Sequence, residues 1–138
     1  MISFTVPGNP VAKGRARATM VAGRARMYTP KATESYEGKV AYLGKQAMGA
    51  LQPLDGAVSL TVECFFAYPS SWSKKRIAAN LITREWVTKT PDGDNCLKAV
   101  SDALNGVCWR DDSQVARAFV TKMYNAIPFV AVVVEALS

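Results

Sequence analysis

The sequence predicts a single α/β domain over residues 1–138, in which a mixed, mainly antiparallel β-sheet carries packed helices. Three observations predict it. Apolar residues alternate over residues 2–6 and over 58–68, the period of half-buried strands, and residues 129–134 are a short apolar run that reads as a buried strand. Between these runs, apolar residues recur at helical spacing after Pro30 and after Asn95. No repeat, low-complexity run or linker interrupts the order, and a chain with 49% apolar and 20% charged residues has enough apolar material for a core.

The elements follow in order. Ile2, Phe4 and Val6 share one face of a first strand, which Pro7-Gly8-Asn9-Pro10 stops. Lys13-Gly14-Arg15-Ala16-Arg17 and Arg24-Ala25-Arg26 come next. In extended backbone Arg15 and Arg17 share a face, as do Arg24 and Arg26, so the two rows read either as a phosphate-contacting arm or as a flexible basic loop. Thr29 as N-cap and Pro30 at the first helical position start a helix to about Gly49, with Tyr36, Val40, Leu43 and Ala47 as its buried stripe. Pro53 and Asp55-Gly56 turn the chain into a strand over residues 58–68, with Val58, Leu60, Val62, Cys64 and Phe66 on one face and Phe65 on the other. Ser71 or Ser73 caps a short helix that carries Lys74, Lys75 and Arg76 and turns Ile77 and Leu81 inward, and residues 83–90 form a loop or short extended piece. A helix over about residues 95–104 has Leu97, Val100 and Leu104 as its apolar stripe and ends at Asn105-Gly106. A strand from Gln114 or Val115 to about Tyr124 then turns at residues 125–128, and residues 129–135 return antiparallel as a hairpin.

Several classes of protein are excluded or disfavoured. There is no histidine, which removes Ser-His and Cys-His nucleophiles and every His-ligated metal site. Cys64, Cys96 and Cys108 are odd in number and lack metal-ligand spacing, so reduced thiols in a cytoplasmic protein are expected. No apolar run reaches ~18 residues, so no membrane span is expected. No secretory signal is visible at the N-terminus.

Charge is distributed unevenly. Residues 1–50 carry eight Lys/Arg against two Glu, and residues 72–90 carry five against one. Residues 91–114 reverse the sign: Asp92, Asp94, Asp102, Asp111 and Asp112 are five of the chain's eleven acids. Basic surfaces attract polyanions, although a charge excess also serves solubility alone. Taken singly, Asp94 reads as a helix cap, Asp102 as a partner of Lys98, and Asp111-Asp112 as a loop. Taken together, an Asp-x-Asp at a helix start and an Asp-Asp at a strand start can converge if the helix packs on the sheet. Three carboxylates would suit a hard divalent cation such as Mg²⁺, which activates water and stabilises charge on a phosphodiester. Lys98, one turn from Asp94, is placed to hold a phosphate.

These residues carry a resemblance. Asp92-Gly93-Asp94-Asn95, Leu97-Lys98-Ala99, Asp102-Ala103-Leu104-Asn105-Gly106 and Asp111-Asp112-Ser113-Gln114 resemble the signature of the RusA family of Holliday junction resolvases. Pro7-Gly8-x-Pro10, Lys13-Gly14-Arg15-x-Arg17 and Tyr28-Thr29-Pro30 are similar to prophage-encoded members. The resemblance implies a homodimeric endonuclease that uses Mg²⁺, with Mn²⁺ as a substitute, and no nucleotide cofactor. It implies paired symmetric nicks in a four-way DNA junction, in recombination and repair. The implied metal ligands and catalytic acids are Asp92, Asp94 and Asp112, with Asp111 supporting and Lys98 as the catalytic lysine. Lys13, Arg15, Arg17, Lys74, Lys75, Arg76 and Lys89 are expected to hold DNA backbone. Two other readings remain open: a protein that binds branched DNA without cutting it, and a less selective flap or single-strand nuclease. Trp72, Trp86 and Phe65 are assigned to core packing in preference to wedges at the branch point.

Overall fold

In the computed structural model, residues 1–14, 17–28 and 31–138 are described. The elements are β1 (Ile2–Pro7), β2 (Arg17–Val21), β3 (Arg24–Tyr28), α1 (Lys31–Met48), β4 (Val58–Ala67), α2 (Lys74–Ile82), α3 (Gly93–Leu104), a 3-10 turn (Asp112–Gln114), β5 (Val115–Asn125) and β6 (Phe129–Ala136). A four-stranded sheet has the order β1-β6-β4-β5, and β2 and β3 form a separate two-stranded sheet. Pairing is antiparallel except between β4 and β5. The predicted α/β class with a mixed, mainly antiparallel sheet is the observed one.

The valine-rich strands explain the order of the sheet. On β6, Val130, Val132 and Val134 are fully buried, and Phe129, Ala131 and Val133 on the other face are half-buried. A strand apolar on both faces belongs in a sheet interior, and β6 lies between β1 and β4. By contrast, β5 exposes Ala116, Arg117, Ala118 and Phe119 and takes the edge. The expected β5–β6 hairpin is therefore absent. The two strands run in opposite directions, but β4 is inserted between them. Linking parallel β4 to β5 needs a crossover, and α2 and α3 occur within it.

The helix α1 packs on β1 and α3, and α3 packs on β4 and β5. The core between them holds Val6, Tyr36, Val40, Leu60, Val62, Val100 and Leu104. The predicted α1 stripe is present: Tyr36 and Val40 are buried, with Leu43 and Ala47 packed partly against the core. Its predicted start at Thr29-Pro30 lies outside the described residues. Ser73 caps α2, its side chain accepting from the Arg76 amide at 3.1 Å. Leu81 does not turn inward. It is 69% exposed, and the buried position on α2 is Asn80, whose Oδ1 accepts from the Glu85 amide at 2.8 Å. That hydrogen bond ties the end of α2 to the following loop and rotates Leu81 outward. Trp86 is also solvent-facing, at 65% exposed, whereas Trp72 packs on Tyr68 and Tyr124, and Phe65 stacks on Phe129. Among the described residues, no helix is long and apolar enough to cross a membrane.

Candidate active site

The site is built on α3 and on the turn before β5. Cys96, Ala99, Val100, Ala103 and Leu104 face the core from α3. That phase leaves Asp94, Lys98 and Asp102, spaced by four, on another face. Asp92 is the N-cap, in extended backbone, and its side chain makes no capping hydrogen bond. Asp94 lies in the first turn, where the helix dipole favours an anion. Ahead of the helix, Lys122 of β5 donates to the carbonyls of Lys89 at 2.7 Å and Pro91 at 2.6 Å. This ammonium ties down the loop that delivers Asp92.

The Asp111-Asp112 pair divides its work. Asp111 caps the 3-10 turn by accepting from the Ser113 amide at 3.0 Å, and the Ser113 hydroxyl beside it holds its carboxyl below the usual carboxylate range. Gln114 closes the same turn. Its Oε1 accepts from the Arg110 and Asp111 amides, and its Nε2 donates to the carbonyls of Leu54 and Gly56. Asp112 points elsewhere. Its Oδ1 accepts from the indole Nε1 of the fully buried Trp109 at 3.0 Å.

A cavity of about 280 Å³ brings the two halves together. Asp94, Lys98, Ser101 and Asp102 line it from α3, Asp112 from the turn, and Leu60, Val115 and Ala118 from the sheet. Asp92 is not among its lining residues. Among the described residues, no three carboxylate or thiol side chains come close enough together to hold a metal ion as a group. Three carboxylates line this space; Asp102 is paired with Lys13 and Lys98, which leaves Asp94 and Asp112. Mg²⁺ commonly binds through one or two carboxylates and keeps several waters, so this donor set fits it.

The basic residues fall into two groups. Lys74 and Lys75 are exposed on α2, and Lys89 is exposed in the loop before α3. Arg76 is already engaged, paired with Glu85 at 2.9 Å and seated over the Trp72 ring. Arg17 starts β2, and Arg15 lies outside the described residues. Lys13 is also engaged, 2.6 Å from Glu37 on α1 and 3.3 Å from Asp102 on α3. Sequence reasoning missed the parts played by Glu37, Trp109 and Lys122. Trp109 had a local signal in its place three residues before Asp112. Glu37 and Lys122 had none, because their partners are distant in the chain.

The fold and site define a basic α/β domain with an acid-and-lysine cleft beside a helix N-terminus. The family model described as Endodeoxyribonuclease RusA matches residues 7–135, nearly the whole chain, and the protein belongs to this family of endodeoxyribonucleases. It is also similar to the uncharacterized protein YqaN of Bacillus subtilis (strain 168), with 36% identity over 141 residues covering 99% of this chain and 97% of that one.

Proposed function

We propose that this protein is a Mg²⁺-dependent endonuclease that resolves four-way DNA junctions by paired, symmetric nicks in recombination and repair. The observation that carries the reading is the cavity in which Asp94, Asp112 and Lys98 meet, in a member of an endodeoxyribonuclease family. Asp94 and Asp112 would hold the cation, with Asp92 at the N-cap of the same helix as the further acid. When bound, Mg²⁺ supplies an activated water and neutralises charge on the phosphodiester. Lys98, 60% exposed, contacts the scissile phosphate and balances charge that develops there. The Trp109 indole orients the Asp112 carboxylate that would serve the cation. Two related cuts in a symmetric junction call for two sites, which a two-fold homodimer provides.

The basic surface brings DNA to this cleft. The β2–β3 hairpin supports that role. Its register places Thr19 opposite Arg26 and Val21 opposite Arg24, so both arginines lie on one face, while Ala18, Met20, Ala25 and Met27 occupy the other. Every residue from Ala18 to Met27 is exposed. Arg24 and Arg26, with Arg15, Arg17, Lys74, Lys75 and Lys89, form the phosphate-holding set.

The test compares a synthetic four-way junction with a flap and a linear duplex of the same sequence. The account expects Mg²⁺-dependent paired nicking of the junction and little cutting of the others. Equal rates on all three would replace resolvase with a less selective nuclease, and tight junction binding without cutting would leave a binding protein.

A further inference from the structure

We infer that Lys13 is a positioning residue of the cleavage site: it shares Asp102 with Lys98 from outside the cavity and so weakens the hold of that carboxylate on Lys98. The inference rests on the nuclease reading above and reassigns Lys13 from the DNA-contacting set. The segment around Lys13 is wedged between two helices. The Lys13 amide donates to the Asn95 carbonyl on α3 at 3.0 Å, and the Gly14 amide donates to the hydroxyl of buried Thr33 on α1 at 2.9 Å. These backbone bonds aim the Lys13 side chain into the α1–α3 seam. There its ammonium lies 2.6 Å from Glu37 Oε1 and 3.3 Å from Asp102 Oδ2.

An ammonium has three donors, and two of these already face carboxylates. The Lys13 side chain is only 21% exposed, against 60% for Lys98. The hydrogen bond to Glu37 raises the Lys13 pKa, partial burial opposes it, and Asp102 adds to the rise, so the charge is present throughout the working range. A lysine neutralised in this way is a poor phosphate contact. It is a good counter-charge for Asp102, which also lines the cavity and lies 3.4 Å from Lys98. Asp102 is thus shared between two lysines, Lys13 fixed in the seam and Lys98 exposed at the cavity mouth. Remove Lys13, and Lys98 remains the cation of this network on Asp102, one helical turn away, and is held more tightly away from the phosphate.

The test uses Lys13→Met, Lys13→Arg and the double variant Lys13→Met/Asp102→Asn. Each is assayed in single-turnover cleavage of a saturating four-way junction with Mg²⁺, and in junction binding as a function of salt. Lys13→Met is expected to slow cleavage about tenfold, the scale for residues that act through a neighbour of the reacting centre. Its binding and salt slope should stay at wild type, Lys13→Arg should keep most of the rate, and the double variant should recover much of what Lys13→Met loses. Two outcomes would overturn the inference: a salt slope reduced by about one counterion with an unchanged saturating rate, the mark of a phosphate contact, or a double variant no faster than Lys13→Met. If the wild type cuts no junction, the nuclease reading fails by itself. A double-mutant cycle on urea unfolding then tests the contact alone, with coupling between Lys13 and Asp102 expected and zero coupling overturning it.

Discussion

Replacing Trp109 with Phe removes one hydrogen bond from the candidate site while keeping most of the ring that fills the core. Trp109 is fully buried, and its indole N–H reaches Asp112 Oδ1 at 3.0 Å. Two effects should separate. The first is stability. A hydrogen bond to a charged acceptor contributes roughly 1.5–3 kcal/mol, but Asp112 is exposed and water can replace the donor, so about 1 kcal/mol is the expected loss. The smaller ring leaves a partial void worth roughly another 1–2 kcal/mol. A total of about 2–3 kcal/mol should lower Tm by roughly 6–9 °C for a chain of this size. The second effect is on the cation. With its orienting donor gone, Asp112 can rotate, and loss of such a partner typically weakens metal affinity by about 10- to 100-fold. The assay is single-turnover junction cleavage titrated with Mg²⁺. The half-saturating Mg²⁺ concentration should rise by at least about tenfold, with much of the rate recovered at saturation. A variant that melts lower but has an unchanged Mg²⁺ requirement would show that the indole only packs, and that Asp112 needs no orientation.

Three further outcomes follow from the packing. Lys122→Met removes the ammonium that holds the Lys89 and Pro91 carbonyls, and should destabilise the fold by about 1–2 kcal/mol and speed amide exchange in the loop before α3; unchanged exchange there would refute the clamp. A Cβ at Gly44 would lie 2.6 Å from Leu104 Cδ2, so Gly44→Val should lose about 2 kcal/mol or more in urea unfolding, and a neutral result would mean the α1–α3 seam is looser than described. Burial raises the Cys108 thiol to about 11, so its contribution is complete below the unfolded-state pKa near 9 and is lost as pH rises to about 11. Unfolding followed from pH 8 to 11 should therefore show a decline of about 2–3 kcal/mol from this group, shallower in Cys108→Ala, and identical slopes would contradict it.

How much of this was legible depended on the range of the interaction. The helix α3 could be read because its apolar spacing, its acidic first turn and its Asn105-Gly106 end all lie within a few turns of chain. The cleft residues on it, Asp94, Lys98 and Asp102, share a face by helix geometry alone. The sheet class was legible from alternation, but its order was not. Adjacent strands with a four-residue turn suggest a hairpin, and only the two-sided apolarity of β6 argues for placing β4 beside it. Lys13 looked like one more cation in a basic run. Its assignment depends on Glu37 and Asp102, 24 and 89 positions away, and no local spacing encodes that seam. Leu81 misled for a related reason: apolar periodicity pointed it inward, but a buried asparagine hydrogen-bonded to the next loop set the phase of α2. The separate roles of Asp111 and Asp112 emerged only with the turn, where one caps the backbone and the other faces the cavity.

The most direct test of the central claim is cleavage of a four-way junction by the wild type and by Asp94→Asn, each with and without Mg²⁺, with junction binding measured in parallel. The account predicts that the wild type cuts only with Mg²⁺, and that Asp94→Asn binds the junction at near wild-type affinity and cuts at least about 100-fold more slowly, because a charged ligand to the cation is lost. Undiminished Mg²⁺-dependent cutting by Asp94→Asn would contradict the assignment of this cleft as the active site.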